Sequence, residues 1–257
     1  MSSEDVAAYL DGPFKEIGGW CNPFLWQAIE PLYEAVSAAG PAGPVAEIGV
    51  FHGKFFFGLV KTAGAEKDNF AIDVFDMQEF NLDGAGVGDK QAFIRARNLA
   101  GIDKDAVALY RTDSMAITGD DVARLRKRTG GFVLFSVDGC HLPEHTINDI
   151  KIAMELTRPH GLIFVDDYYN PNWPGVQEGV SKLYLTDAPR FVPLLFVANK
   201  LFLCNVSFHQ RYLTAVSSFV AKHHPDTRIK PVKRFGYDTI TLTPQPRTGR
   251  FLAKPGG

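Results

Sequence analysis

Short runs of apolar residues alternate along this chain with longer segments in which apolar and polar positions follow a helical period. The runs are rich in Val, Ile and Phe, which suits strands that are covered on both faces. The predicted strands lie at residues 45–50, 69–75, 106–114, 131–139 and 161–169. The predicted helices between them lie at residues 55–64, 89–100, 120–128 and 143–157. This alternation predicts an α/β fold with a doubly wound, mostly parallel sheet and helices on both faces.

Both ends of the chain are expected to add elements to this sheet. Residues 24–39 predict a helix, and Pro31 should lie in its first turns or kink it. Apolar runs at 191–198 and 200–206 predict an antiparallel edge strand pair, which offers a surface for a homodimer. The remaining predictions are a helix at 176–187, a helix at 208–221, a strand at 239–243 and a fraying tail at 244–257 that holds three Pro and three Gly.

The first predicted strand ends in a glycine turn that leads into a helix. Gly49 and Gly53 allow a sharp turn and let a ligand approach the backbone where a Cβ would collide. Neither the dinucleotide pattern G-x-G-x-x-G nor the P-loop pattern is present. Instead, Glu47 lies two residues before Gly49, which suits a ligand with an ammonium group and a cationic centre, such as S-adenosylmethionine (SAM). The alternative is an ordinary strand-to-helix turn.

Polar side chains also end the second and third predicted strands. Asp73 lies near the ~20-residue distance from the turn that is usual for an acid that binds ribose hydroxyls. Its alternative role is to cap the strand end. Asp113 and Ser114 end the third strand and could bond the adenine, or they could form a helix N-cap pair. The loop that follows Asp73 is expected to lie beside the adenosine.

Three aspartates end the fourth and fifth strands, namely Asp138, Asp166 and Asp167. Because the carboxyl ends of neighbouring parallel strands meet at one edge, these acids are expected to converge. Three close carboxylates need a cation or a proton to neutralise them, and oxygen ligands favour a hard ion such as Mg²⁺ over zinc. Alternatively, Asp166 or Asp167 caps the following turn while its neighbour faces solvent.

A histidine beside these acids is the predicted proton acceptor. His141 follows Asp138 by three residues and, with a usual pKa near 6.5, would take a proton from a substrate hydroxyl at neutral pH. The alternative is a solvated histidine at a helix start. His52 and His145 are weaker choices for this role. Lys54 and Lys200 are interpreted as surface charges. Trp20, Phe24 and Trp26 either form a lid over a bound ligand or pack a helix against the sheet edge.

Composition narrows the class of protein. The 257 residues are 46% hydrophobic and 22% charged, with a net charge of −2, so neither nucleic acid nor a membrane surface is an indicated partner. The first residues lack an apolar signal core, and no apolar stretch approaches membrane-spanning length. Three widely spaced cysteines, Cys21, Cys140 and Cys204, are expected to be reduced thiols. A cytoplasmic location is therefore expected.

Over residues 40–206 the chain resembles the class I SAM-dependent methyltransferases, which have a Rossmann-like sheet. It is most similar to the metal-dependent small-molecule O-methyltransferases of the catechol and macrolide-sugar types. The segments that carry the resemblance are Glu47–Gly53, Asp73, Asp113–Ser114, Val137–His141, Val165–Tyr168 and Pro174–Val176. The chain is expected to divide into an N-terminal helical cap or lid at 1–39, a methyltransferase core at 40–206, and a helix, strand and tail at 207–257 packed on the core.

The resemblance also implies roles for individual residues. The glycine turn, including Val50 and Phe51, would hold the methionine part of SAM, and Asp73 would hold the ribose. Asp138, Asp166 and Asp167 match the metal positions. His141 stands where the catechol-type enzymes usually carry lysine, so either His141 or Asp138 could be the base.

The expected activity is Mg²⁺-dependent transfer of a methyl group from SAM to a hydroxyl of a small molecule, such as a sugar, a phenol or a polyketide. Three alternatives stay open at this point. One is a metal-independent N- or C-methyltransferase, and another is a SAM-binding protein without catalysis. The last is an oxidative enzyme, such as a hydroxylase, on the same fold.

Overall fold

A computed structural model describes residues 3–245 of the chain. The strands are β1 Val45–Ile48, β2 Asn69–Asp73, β3 Val107–Arg111, β4 Phe132–Val137, β5 Thr157–Val165, β6 Phe191–Val197, β7 Lys200–Asn205, β8 Thr227–Arg234 and β9 Tyr237–Pro244. They form one sheet in the order β3-β2-β1-β4-β5-β7-β6-β9-β8. The first five strands run parallel, as the sequence predicted, and β7 pairs antiparallel with β5.

The helices cover both faces of the sheet, which confirms the predicted α/β fold. They are α1 Ser3–Asp11, α2 Pro13–Glu16, α3 Trp26–Ser37, α4 Lys54–Ala63, α5 Lys90–Leu99, α6 Gly119–Thr129, α7 Pro143–Leu156, α8 Pro174–Thr186 and α9 His209–His223. One hydrophobic core packs α1, α3, α4, α5 and α9 against one face, and a second packs α6, α7 and α8 against the other. None of the helices within residues 3–245 combines the length and apolar character that crossing a bilayer requires.

The sequence predicted a helical cap at 1–39, but it did not locate the separate helices α1 and α2 within it. Two hydrogen bonds fasten the N-terminal segment to α4. The Tyr9 hydroxyl donates a hydrogen bond of 2.6 Å to the carbonyl of Lys54, and Trp26 Nε1 donates to Thr62 Oγ1 at 3.2 Å. The segment therefore lies against the helix that begins at the glycine turn.

The C-terminal segment extends the sheet instead of ending beside it. Strand β6 pairs with β7 on one side and runs parallel to β9 on the other, through pairs such as Leu195 with Ile240. The β8–β9 hairpin thus covers the strand edge at residues 191–206, so this edge is not free to pair with a second copy as predicted. The homodimer itself stays a prediction. Strand β8 was also not predicted. The three-part division of the chain stays a prediction, and most of the expected fraying tail, residues 246–257, lies outside the described residues.

The sheet register places four positions in one row. Ile48 pairs with Val137, Val137 with Val165, and Val165 with Leu201. The next residues at this end of the sheet are Gly49 after β1, Asp138 after β4, Asp166 after β5 and Lys200 at the start of β7. Side chains at paired positions share a face of a sheet. The register therefore brings the glycine turn, two acids and a lysine to the same place.

Candidate functional site

The glycine turn after β1 needs glycine for two separate reasons. Gly49 has a φ of +82°, and a Cβ built on it would lie 1.8 Å from the carbonyl oxygen of Asp138. Gly53 also has a positive φ, at the start of α4, where a Cβ would lie 2.4 Å from the Phe57 ring. An L-residue is strained in this region of φ and would collide at both positions. The turn is consequently held close against the end of β4.

Asp73 stabilises this turn from the neighbouring strand. Its Oδ2 accepts a hydrogen bond of 2.8 Å from the backbone N–H of Phe51, and its Oδ1 accepts one of 2.6 Å from Phe75. Burial raises the pKa of Asp73, and these backbone donors act in the opposite direction. Asp73 also lines a cleft beside the turn, so its predicted contact with a ribose stays a prediction alongside this structural role.

The first cleft lies above the ends of β1 to β4 and under the loop 74–89. Among the residues predicted from the sequence, its lining includes Gly49, Phe51, Asp73, Asp113, Ser114, Asp138 and His141. Asp113 caps a short 3₁₀ turn by accepting a 3.0 Å hydrogen bond from the backbone N–H of Met115. The capping alternative is therefore realised for Asp113, while Asp113 and Ser114 also form part of the cleft wall.

A second, larger cleft of about 1020 Å³ opens on the other side of the turn. Its lining includes the predicted residues Glu47, Gly49, Val50, Phe51, Asp138, His141, Asp166 and Asp167. Six residues border both clefts, namely Gly49, Phe51, Ala85, Gly86, Asp138 and His141. The two clefts thus meet at the ends of β1 and β4. Gly53 lines neither of them.

Glu47 is the buried acid of the second cleft. It is 2% exposed on β1, and burial raises its pKa to about 8, although the nearby Lys200 ammonium lowers it. A carboxyl of this kind ionises readily when a cation is placed beside it. This environment suits the predicted contact with an ammonium group.

Lys200 is not a surface charge, and the prediction for it is wrong. The residue is 1% exposed. Its Nζ donates a hydrogen bond to Asp166 Oδ2, lies 3.7 Å from Asp138 Oδ2 and lies 4.3 Å from the centre of the Phe55 ring. Burial alone would lower the pKa of Lys200, but Asp166 and Asp138 outweigh it and raise the pKa above its usual value. Lys200 is therefore an internal cation.

The two partners of Lys200 differ in their surroundings. Asp166 also accepts a 2.8 Å hydrogen bond from the backbone N–H of Asp167, which is the turn-capping alternative for this acid. The Asp138 side chain is 25% exposed and borders both clefts. Burial and the adjacent Asp166 raise the pKa of Asp138 well above its usual value, while Lys200 lowers it.

His141 is held between carboxylates on both sides of its ring. Its Nδ1 donates to Asp83 Oδ2 at 2.7 Å, and the same oxygen accepts the backbone N–H of His141 at 2.6 Å. The ring also stacks on Trp173, with 4.5 Å between ring centres. The other nitrogen, Nε2, lies 3.1 Å from Asp167 Oδ2 and 3.9 Å from Asp138 Oδ1, yet it is buried without an aligned hydrogen bond.

The charge of His141 differs from the sequence-based expectation. Burial alone would lower its pKa, but the carboxylates of Asp167 and Asp83 outweigh burial and raise the pKa to about 10. The expectation of a pKa near 6.5 is wrong because it ignored these flanking acids. With no ion bound, the flanking carboxylates of Asp83 and Asp167 therefore favour the protonated ring, and Nε2 can bind a metal ion only by losing its proton.

Asp138, His141 and Asp167 each offer one atom to a group whose members lie within 4.8 Å of one another. Asp167 is steadied by amide donors, Asn170 Nδ2 at 2.9 Å and Asn199 Nδ2. Two carboxylates and an imidazole nitrogen that lacks a partner are a donor set that divalent metals accept. A metal-binding histidine usually donates its other N–H to a carboxylate, as His141 does to Asp83. These residues therefore fit a divalent cation, whereas the predicted ligand Asp166 faces Lys200.

The remaining predicted residues lie apart from this centre. His52 stacks on Phe51, and neither His52 nor His145 lines the two clefts. The aromatic residues that were predicted to form a lid or pack the helix differ in their burial. Trp26 is 3% exposed and packs in the core, whereas Trp20 is 81% exposed at the cleft, 5.5 Å from the Phe51 ring.

Sequence reasoning missed Asp83, Asn199 and Lys200. Asp83 lies in a Gly/Asp-rich loop without a pattern, so no signal in the sequence distinguished it. Asn199 and Lys200 did carry a signal, because they interrupt two apolar runs at the position of a hairpin turn. A lysine at the start of an otherwise apolar strand is a buried-charge candidate once the strand is placed inside the sheet.

Comparisons with known proteins agree with this picture. Residues 46–168 match the model of a family described as a methyltransferase domain. A search of curated proteins finds no match. Among solved structures, the MycE methyltransferase from the mycinamycin biosynthetic pathway, in complex with Mg and SAH, aligns with a TM-score of 0.53 at 17% identity, covering 78% of this chain and 54% of that chain.

Two further structures extend the comparison. MycE with Mg, SAH and mycinamycin VI gives a TM-score of 0.52 at 16% identity, covering 78% of this chain and 53% of that chain. CalS11, a calicheamicin methyltransferase, gives 0.47 at 18% identity, covering 68% of this chain and 76% of that chain. The likeness to the two MycE structures, at such low identity, shows the fold. Together with the family match, it confirms the resemblance to class I SAM-dependent methyltransferases.

Proposed function

We propose that this chain, which carries a methyltransferase domain over residues 46–168, transfers a methyl group from SAM to a hydroxyl group of a small molecule. The observation that carries the proposal is the meeting of two clefts at Gly49, Asp138 and His141. One cleft has the residues expected for an adenosine, and the other has room for an acceptor beside acids and a histidine. Donor and acceptor would therefore meet where the polar groups converge.

The donor would lie along the glycine turn. Asp113 and Ser114 would face its adenine, Asp73 its ribose, and Glu47 the ammonium of its methionine part. The close approach of the turn to β4 at Gly49 leaves the backbone free of side chains there. Since the methyl group of SAM already carries a good leaving group, the main tasks of the protein are to position both reactants and to accept a proton.

Asp138, His141 and Asp167 would hold a divalent cation. When bound there, such a cation would lower the pKa of the acceptor hydroxyl and fix its orientation. MycE is crystallised with Mg, which agrees with this assignment. The two carboxylates in the set also suit Mn²⁺, whereas the imidazole nitrogen suits ions such as Fe²⁺ or Ni²⁺. Asp166, which the sequence predicted as a further ligand, is not part of this proposed set, because it pairs with Lys200.

His141 and Asp138 are the proposed proton acceptors. Asp83 fixes the proton of His141 on Nδ1 and leaves Nε2 directed at the cleft side of the ring. With no cation held there, its raised pKa of about 10 keeps Nε2 protonated near neutral pH, so His141 can accept a proton only after the ring has lost its own. With a cation in place, Asp138 is the remaining group and would accept the proton through the carboxylate oxygen that the cation leaves free.

The test is a methyl-transfer assay on the purified chain with isotopically labelled SAM and panels of sugar, phenol and polyketide acceptors. We expect a labelled methyl ether, release of demethylated SAM, and loss of turnover in EDTA that Mg²⁺ or Mn²⁺ restores. Methylation of nitrogen or carbon with no effect of EDTA would replace the proposal with the metal-independent alternative. Tight SAM binding without turnover on any acceptor would support a non-catalytic role.

A further inference from the structure

The position of Lys200 follows from a turn and from the sheet register. The turn between β6 and β7 has two residues, Ala198 and Asn199, with φ of 44° and 74°. Positive φ at both positions is the geometry of a tight hairpin, which fixes where the next strand begins. Lys200 is the first residue of β7 and stands directly beside Asp166 across the antiparallel pair. Its location is therefore set by the backbone.

The Lys200 ammonium occupies a position that is lined like a cation-binding site. Two carboxylate oxygens approach the ammonium, one from Asp166 and one from Asp138, and the Phe55 ring lies 4.3 Å away. The Lys200 side chain is 2% exposed and that of Asp166 is 12% exposed. A buried ion pair of this kind is weak evidence for stability, because apolar residues of similar size stabilise as well. Its presence beside a cleft calls for a different explanation.

The two oxygens of Asp138 point in different directions. Oδ2 lies 3.7 Å from Lys200, while Oδ1 lies 3.9 Å from His141 Nε2. Asp138 thus separates two positions for positive charge. The position toward Asp166 contains an ammonium, and the position toward Asp167 is lined by oxygens and the unpartnered Nε2. Positive charges a few Å apart repel strongly away from bulk water, so a divalent ion is excluded from the first position.

We propose that Lys200 is a fixed internal cation that occupies the Asp138–Asp166 side of the site and removes Asp166 from the ligands available to a divalent ion. The ion is then confined to Asp138, His141 and Asp167. This inference deepens the proposed function and rests on its metal site. Lys200 acts through the acids and is a positioning residue, since its side chain is buried behind them.

Binding of Mn²⁺ to the purified chain, followed by the electron paramagnetic resonance signal of the free ion, tests the proposal without any methyl-transfer assay. Lys200→Met removes the competing ammonium and frees Asp166, so Mn²⁺ affinity should rise by about tenfold or more. The double variant Lys200→Met/Asp166→Asn removes both partners and should bind Mn²⁺ within about threefold of the wild type. Asp167→Asn removes a ligand and should weaken binding by about tenfold or more.

Two results would overturn the proposal. One is a Lys200→Met variant, folded by circular dichroism, whose Mn²⁺ affinity does not rise. The other is a double variant that loses as much affinity as Asp167→Asn, because Asp166 would then be a ligand in the wild type. If Lys200→Met does not fold, the double variant decides alone, since it leaves no unpaired buried charge from this pair.

The same titration separates this inference from the proposed function. If the wild type binds no Mn²⁺, the proposed metal site is rejected. In that case a Lys200→Met variant that binds Mn²⁺ would still support the inference that the Lys200 ammonium keeps divalent ions away from Asp166. If neither binds, both the metal site and the role of Lys200 are rejected. Lys200→Arg keeps the positive charge and serves as the matched control, with Mn²⁺ affinity expected within about threefold of the wild type.

Discussion

The two halves of the site are built in different ways. The half formed by β1, β2 and β3 is shaped by backbone: a glycine turn, the N–H groups that bond Asp73, and a capped 3₁₀ turn. The half formed by β4, β5 and β7 is shaped by charged side chains, with Asp138, Asp166, Asp167, His141 and Lys200 in mutual contact. A rigid backbone suits a donor that is always the same molecule. Charges suit the step in which an acceptor loses a proton.

This contrast indicates which property of the protein a substitution in each half should change. Changes in the backbone half should alter folding and donor affinity, because the shape of the turn is the binding surface. Changes in the charged half should alter turnover while the donor still binds. The two measurements, SAM affinity and methyl-transfer rate, therefore separate the halves.

The largest effect is expected in the charged half, from Asp138→Asn. This variant keeps the shape of the side chain but removes a proposed ligand and base, and turnover should fall by about 10²–10⁴-fold. SAM affinity, measured by calorimetry, should stay within about threefold, because the predicted donor contacts lie elsewhere. Asp120→Asn, on the exposed surface of α6, is the control. An equal loss of SAM binding would break the contrast between the halves.

The next largest effect is expected in the backbone half, from Gly49→Ala. The new Cβ would collide with the carbonyl of Asp138, and the residue would be held at a φ of +82°. The free energy of unfolding should fall by roughly 2–5 kcal/mol, as measured by urea denaturation, and SAM affinity should be lost with it. Gly119→Ala is the matched control, because nothing lies within 4 Å of its new Cβ. A stable variant with normal SAM affinity would show that the turn adapts.

An intermediate effect is expected where the two halves touch, from Asp83→Asn. The loop that carries Asp83 lines the donor cleft, yet its carboxylate orients His141. The rate should fall by about 10–100-fold, and the pKa of His141, followed by NMR titration, should fall from about 10 because one flanking anion is lost. Asp76→Asn, in the same loop but paired with surface Arg111, should change neither. An unchanged His141 pKa would contradict the assigned contact.

The smallest effect concerns a buried acid behind the backbone half. Asp149 on α7 is 0% exposed, and burial raises its pKa to about 7. The folded state holds this proton more tightly than the unfolded state does. The free energy of unfolding of the wild type should therefore fall as pH rises from about 4 to about 7. Asp149→Asn removes the titration. Relative to the wild type, the variant should gain about 1–3 kcal/mol between pH 5 and pH 8 in urea denaturation, and a difference that does not change with pH would contradict it.

The backbone half could be predicted from the sequence because its signals are local. The spacing of Glu47, Gly49 and Gly53 and the acids at strand ends mark a turn and its neighbours without knowledge of the whole fold. The charged half depends on which strand lies next to which. Asp166 and Lys200 are far apart in the chain and meet through an antiparallel register that no local pattern reveals. The pKa of His141 was missed for the same reason, since Asp83 reaches it from a distant loop.

The β8–β9 hairpin determines how far the chain can be shortened without provoking aggregation. Without it, the backbone N–H and C=O groups of β6 that pair with β9, at Leu195–Val197, would be open to another molecule. The outermost strand β8 is instead rich in Lys and Arg and has Pro231 in its middle. An edge strand of this kind resists hydrogen-bonded pairing with a strand of a second molecule. A version that stops at residue 206 would retain the proposed catalytic groups and still be prone to precipitate.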